Sequence, residues 1–222
     1  LTPLYFIWSS PKMLLFIQSL ILTLGTFYVF GISNHVLKNK NISLVFSCLY
    51  LINPLVNFVN LYDFHAVAFS TTFLLASFYY ILKKRFFLFF LLAVLAALTK
   101  EQVWLIIGLM SVYVFIKTFK KDYLIKKVNQ LRVTAILFSA ICFFIFYYLI
   151  WVAMPNASGS NHFALKYFLE FGNNPSEIFK NIFFDPIHTF KIIFQEKQLI
   201  YLGNLLSPLG FLSAFSPLYL IF

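Results

Sequence analysis

Apolar residues follow one another along this chain in long blocks, separated by short polar or basic interruptions. Runs at 13–33, 42–59, 66–82, 86–99, 102–116, 133–153 and 199–222 have the length and continuity of buried helices. They predict an all-α fold, a polytopic transmembrane bundle of about seven spans. Residues 1–154 would form a six-span bundle, 155–198 an extracytoplasmic segment, and 199–222 a further span. A hydrocarbon core about 30 Å thick takes about 20 helical residues to cross. The first, sixth and seventh runs reach that length, and the fourth and fifth fall short.

The pattern changes between Pro155 and Gln198, where hydropathy drops. In "NNPSEIFKNIFF", Asn174 is placed to cap a helix that starts at Pro175. "DPIHTFKIIF" repeats the device with Asp185 and Pro186. Ile178, Phe179, Ile182 and Phe183 share one helical face, and Ile187, Phe190, Ile193 and Phe194 share another. Two short amphipathic helices at the outer interface would satisfy this spacing, resting on lipid or on the bundle.

Composition strengthens the membrane assignment. The chain is 61% hydrophobic, 21% aromatic and 11% charged, too few polar groups to cover a soluble domain. Its net charge of +10 would suggest a nucleic-acid partner if the cations were clustered on a surface, but they flank the apolar runs, and no nucleic-acid partner is expected. One set of loops carries Lys38, Lys40, Lys83, Lys84, Arg85, Lys117, Lys120, Lys121, Lys126, Lys127 and Arg132. The other carries Lys12, Lys166, Lys180, Lys191 and Lys197. The positive-inside rule puts the richer set in the cytoplasm of a multi-pass plasma-membrane protein. Asp63, Glu170, Glu177, Asp185 and Glu196 then lie outside, with Asp122 inside. Under this orientation the segment "NLYDFH" and the Lys100-Glu101 pair face the same outer side.

Those two segments hold the candidate chemistry. Asn53, Asn57 and Asn60 form a stripe at spacing i, i+4, i+7 that leads outward to Asp63 and His65. Pro54 removes a backbone donor inside that run. One reading has the asparagines bonding between helices and Asp63 capping the third helix. The other is a polar wall leading to a cavity where Asp63 and His65 meet substrate or a metal ion. Lys100 and Glu101 are neighbours and would diverge on a helix, so a tight turn between two helices suits them, where each complements a helix dipole. Their run rises only about 21 Å from a cytoplasmic basic cluster, so the pair would sit below the outer surface and need a polar cavity.

Cys48 and Cys142 lie within apolar runs and read as small core residues, and His35, His65, His162 and His188 show no paired metal-ligand spacing. The chain begins at Leu1, and "LTPLYFIWSSPK" is too polar and proline-broken for a signal peptide, so further chain upstream is expected.

The stretch from Tyr50 to Phe115, "YLINPLVNFVNLYDFHAVAF…LAALTKEQVWLIIGLMSVYVF", resembles the DUF2079-type predicted prokaryotic membrane proteins. The likeness rests on an Asn-Pro helix, an aromatic-Asp-Phe-His element, a span, a basic cluster, a short span and a Lys-Glu pair. The matching residues are Tyr62, Asp63, Phe64, His65, Lys100, Glu101 and Gln102, where the glutamine replaces a frequent acid. "LTPLYFIWSSPKMLLFIQSLILTLG", "FLEFGNNPSEIFKNIFFDP" and "LLSPLGFLSAFSPLYL" extend the likeness over nearly the whole chain.

That family is grouped with the C-type (GT-C) glycosyltransferases, which use polyprenyl-phosphate-linked sugars at the outer membrane face. The resemblance implies an outward-facing site made by Asp63, His65, Lys100 and Glu101, with a principal acid upstream of Leu1. A carboxylate would deprotonate the acceptor hydroxyl and cations would stabilise the departing phosphate. Membrane lipid and a polyprenyl-phosphate-linked substrate are the implied partners, and a divalent metal is left open as cofactor. A lipid or solute transporter, or a non-enzymatic assembly protein, would use the same polar groups differently.

Overall fold

A computed structural model describes residue 6 and residues 8–119, 126–158, 170–172 and 175–207. Asn174, His162, Asp122, Lys120, Lys121, Lys166 and the run beyond Ser207 lie outside the described residues. Every regular element is helical among those described. The contacts divide the chain into two units, Leu1–Phe146 and Tyr147–Phe222.

In the first unit, α1 (Pro11–Leu37) is capped by Ser10 and ends with Lys38 in the left-handed conformation at φ 54°. Two residues later α2 (Lys40–Ile52) starts, its first amides held by the Asn39 side chain. It stops at Asn53, and α3 (Pro54–Leu61) continues at a bend of 40°. The expected single run at 42–59 is thus a broken helix, because Pro54 has no N–H to give and its ring crowds the preceding turn. Then come α4 (Ala68–Leu82), α5 (Phe86–Ala97), α6 (Val103–Phe119) and α7 (Lys126–Tyr148).

Side-chain bonds fix the helix directions. Thr72 Oγ1 donates to the Ile21 carbonyl (2.6 Å), while Gly31 lies against the Tyr79 ring, so α1 and α4 run parallel in steady register. A Cβ on Gly31 would come 2.6 Å from that ring, so the backbones approach this closely only with glycine there. The three-residue Lys83–Arg85 link turns the chain back, and α5 packs antiparallel on α4. Ser111 Oγ donates to the Ala135 carbonyl and Ser139 Oγ to the Gly108 carbonyl, which sets α6 against α7 antiparallel. Phe89, Ala93, Ala96, Ala97, Ile107, Ala135 and Cys142 form the core between these helices.

Large apolar side chains cover the outside of this unit, and several polar side chains are buried within it. Gln18, Ser43, Ser77 and Ser111 are fully buried, while Phe87 is 78% exposed, Phe27 71% and Phe144 68%. The buried hydroxyls donate to helix carbonyls, as Ser43 does to Asn39 and Ser77 to Phe73. Such a surface is stable only against hydrocarbon.

Among the described residues two helices are long and apolar enough to cross a membrane, Pro11–Leu37 and the continuous stretch Asn129–Ala157, and the bent pair α2–α3 makes a third if it acts as one span. The expectation of about seven spans is therefore corrected. Ala68–Leu82, Phe86–Ala97 and Val103–Thr118 are apolar but only 10–17 residues long. Their bounds follow the expected runs at 66–82, 86–99 and 102–116 within a few residues, and the error lay in counting runs this short as full spans. Cys48 is exposed rather than a core residue, whereas Cys142 is buried as expected.

In the second unit the helix continues from α7 through a π turn at Leu149–Ala153 into α8 (Met154–Ser158). Pro155 would press on the carbonyl four residues before it, and the wider turn, in which Met154 N–H reaches the Leu149 carbonyl, makes room. The helices α9 (Pro175–Phe184), α10 (Pro186–Ile193) and α11 (Glu196–Leu206) follow. Asp185 caps α10 by accepting from the His188 N–H at 3.0 Å, as its sequence predicts. Ile187, Phe190, Ile193 and Phe194 are all exposed, and Ile192 alone of that helix is buried. This apolar face is covered by no other described part of the unit.

Candidate functional site

The register of the first unit sorts its charges. With α1 parallel to α4, the ends carrying Lys38 and Lys40 lie on the same side as the Lys83-Lys84-Arg85 link. The α6–α7 pairing adds Lys117 and Arg132 to that side, where Arg132 Nη2 donates to the Thr118 carbonyl at 2.8 Å. The opposite end carries two turns, Tyr62–Val67 before α4 and Leu98–Gln102 after α5. Because α4 and α5 form an antiparallel hairpin, Asp63, His65, Lys100 and Glu101 share that end. The charge pattern of the sequence predicts one side for both segments, and the topology of this unit puts them at one end.

The first turn is held from a neighbouring helix. Gln18, fully buried on α1, donates through Nε2 to the Val59 carbonyl (3.1 Å) and accepts through Oε1 from the His65 N–H (3.0 Å). One amide thereby joins the last turn of α3 to the start of the next connection. Next to it, Ser19 Oγ donates to Asn60 Oδ1 at 2.8 Å. His65 Nδ1 lies 2.8 Å from the Asp63 carbonyl oxygen, and its ring stacks on Tyr62, which stacks on Phe58, both at 5.8 Å between centroids. A carbonyl only accepts, so Nδ1 is the protonated nitrogen of the neutral ring and Nε2 carries the open lone pair. Asp63 and His65 are both exposed.

The asparagine stripe has structural work to do. Asn53 Oδ1 accepts from the Leu55 N–H, capping α3. Asn57 Nδ2 donates to the Leu51 and Asn53 carbonyls at 2.9 and 3.1 Å, supplying donors at the break that Pro54 opens. Asn60 bonds across to α1, which is the interhelical role allowed for it. The expected capping of the third helix by Asp63 is not seen: α4 starts after Val67 and makes no side-chain cap bond. A turn at Ala66 and Val67 stands between Asp63 and the helix, and the Ala68 N–H reaches the His65 carbonyl instead.

The second turn is as tight as expected. Val103, Trp104 and Leu105 N–H groups reach back to the Lys100, Glu101 and Gln102 carbonyls, and Thr99 Oγ1 donates to the Ala96 carbonyl at 2.7 Å. Lys100 and Glu101 are half-buried here. The α5 helix rises only about 18 Å, against about 40 Å for α1, so this turn stops well below the N-terminal end of α1.

Gln18 and Ser19 were not singled out from sequence, although "FIQSLI" interrupts the first apolar run with adjacent polar residues. Among the described residues no group of three or more His, Cys, Asp and Glu side chains stands ready to hold a metal ion. A divalent cofactor would need donors from elsewhere in addition to Asp63 and His65.

No curated protein and no solved structure matches this chain. The family model described as a predicted membrane protein, DUF2079, matches residues 1–222. The likeness noted in the Asp-Phe-His and Lys-Glu elements thus extends along the whole sequence, and the chain belongs to the DUF2079 family of predicted membrane proteins.

Proposed function

We propose that the chain is a GT-C-like glycosyltransferase of the plasma membrane, taking a sugar from a polyprenyl-phosphate donor at the extracytoplasmic face. The observation that carries this reading is the separation of charge in the first unit. Cations without acids crowd one end of the described helices, while Asp63, His65, Lys100 and Glu101 gather at the other. The positive-inside rule turns that separation into an orientation with the mixed end outward. A lipid-phosphate donor presents its sugar at that surface and its chain in the bilayer. Lys100 supplies a cation for the leaving phosphate, and the acid-imidazole turn supplies a proton acceptor. The depth of the Lys100-Glu101 turn supports a recessed site rather than a surface loop.

The orientation is tested by thiol labelling in intact cells, with Cys48 and Cys142 first replaced by alanine. Gln102→Cys is expected to react with an impermeant reagent from outside, and Lys40→Cys only after the cells are opened. The reverse pattern would overturn the outward site. For the chemistry, membranes containing the protein are given a radiolabelled polyprenyl-phosphate hexose. Release of polyprenyl phosphate is expected, and movement of the intact donor between leaflets without release would favour a transporter.

A further inference from the structure

Resting on the reading of sugar transfer, we propose that His65 is the proton acceptor of the outer site and that Nε2 is the atom that takes the proton. The family resemblance implies a carboxylate in this role. Three contacts point to the imidazole instead. Its backbone is pinned by Gln18, a buried residue of another helix that is itself fixed by the Val59 carbonyl. Its ring is clamped against Tyr62 at 5.8 Å. Its Nδ1 proton is committed to the Asp63 carbonyl at 2.8 Å, which leaves the Nε2 lone pair as the only free function of the ring. A carbonyl that fixes the tautomer and aims the opposite nitrogen is the arrangement that orients catalytic and metal-ligating histidines alike. The described residues favour the base, since Asp63 and His65 find no third donor of the His, Cys, Asp or Glu type beside them.

In the step, the acceptor O–H gives its proton to His65 Nε2. The oxygen's electron pair forms the new bond to the anomeric carbon, and the anomeric carbon–oxygen bond to phosphate breaks with its pair on the phosphate oxygen. The products are the glycosylated acceptor, a polyprenyl phosphate carrying one more negative charge, and an imidazolium that returns its proton to water. The exposure of His65 gives that proton a way out.

The test uses membranes carrying the complete protein and a radiolabelled polyprenyl-phosphate hexose, read as single-turnover release of polyprenyl phosphate. His65→Ala is expected to lower the rate about 100-fold or more while donor binding stays within about 2-fold, with added imidazole restoring part of the rate. His65→Gln keeps a polar side chain and the backbone bond to Gln18. It should insert normally, show the same loss, and gain nothing from imidazole because the site stays filled. Either variant turning over at the wild-type rate would overturn the role of His65 and return proton transfer to a carboxylate, with sugar transfer left standing. Wild-type membranes that release no polyprenyl phosphate would instead overturn the transfer reading and this role with it.

Discussion

The two turns at the outer end of the first unit hold their charged groups by opposite means. Tyr62–Val67 is wired from outside itself: a buried amide on α1, a serine–asparagine bond and a stack of three rings converge on it. Leu98–Gln102 is closed by its own backbone bonds, with Lys100 and Glu101 at the facing ends of two helices. A wired turn fixes where a side chain points. A self-closed turn sets the place of its charges through the local backbone. The first suits a group whose lone pair must be aimed, the second suits ions that act through their field.

This contrast predicts that activity and stability will respond in different places. Glu101→Gln is expected to abolish release of polyprenyl phosphate, while insertion and thermal stability stay within about 1 kcal/mol, the range of a helix-dipole contact. Wild-type turnover by Glu101→Gln would reduce the second turn to a structural connection. Gln18→Leu should act through the fold instead. It removes the partner of the Val59 carbonyl and of the His65 N–H, two half-buried hydrogen bonds, at a cost of about 1–3 kcal/mol. The check is a thermal-unfolding midpoint in detergent, and an unchanged midpoint would mean that the turn does not depend on α1. The smallest effect is expected from Asn57→Leu. It removes donors from two carbonyls beside Pro54, at an exposed position, for about 0.5–1.5 kcal/mol. A larger loss than that of Gln18→Leu would move the critical polar contact from the turn to the break in the helix.

How much of this could be read from sequence depends on the distance between partners. Local devices were legible: the Pro54 break, the Asp185 cap and the Lys100–Glu101 turn each involve residues within a few positions of one another. The Gln18 contacts were not, since its partners are 41 and 47 residues away and nothing in an apolar periodicity names them. Even Asp63, correctly expected in the connection between helices, was given a cap that the real start of α4 rules out. Counting spans failed for a different reason. An apolar run records that a segment avoids water, and the runs at 66–82, 86–99 and 102–116 were counted as spans although their helices are only 10–17 residues long.

The parallel pairing of α1 with α4 also bears on how the protein is made. Gln18 is synthesised 47 residues before the His65 amide it accepts from, and the Ile21 carbonyl 51 residues before Thr72. At about 5–20 residues per second, α1 waits some seconds with an unpaired amide in its apolar surface. Hydrocarbon is a poor place for that amide to wait. The first helix is long and apolar enough to span by itself, but its amide lacks these partners until α3 and the turn before α4 have been made. The stability of α1 in the bilayer is thus completed by residues made 41 and 47 positions later.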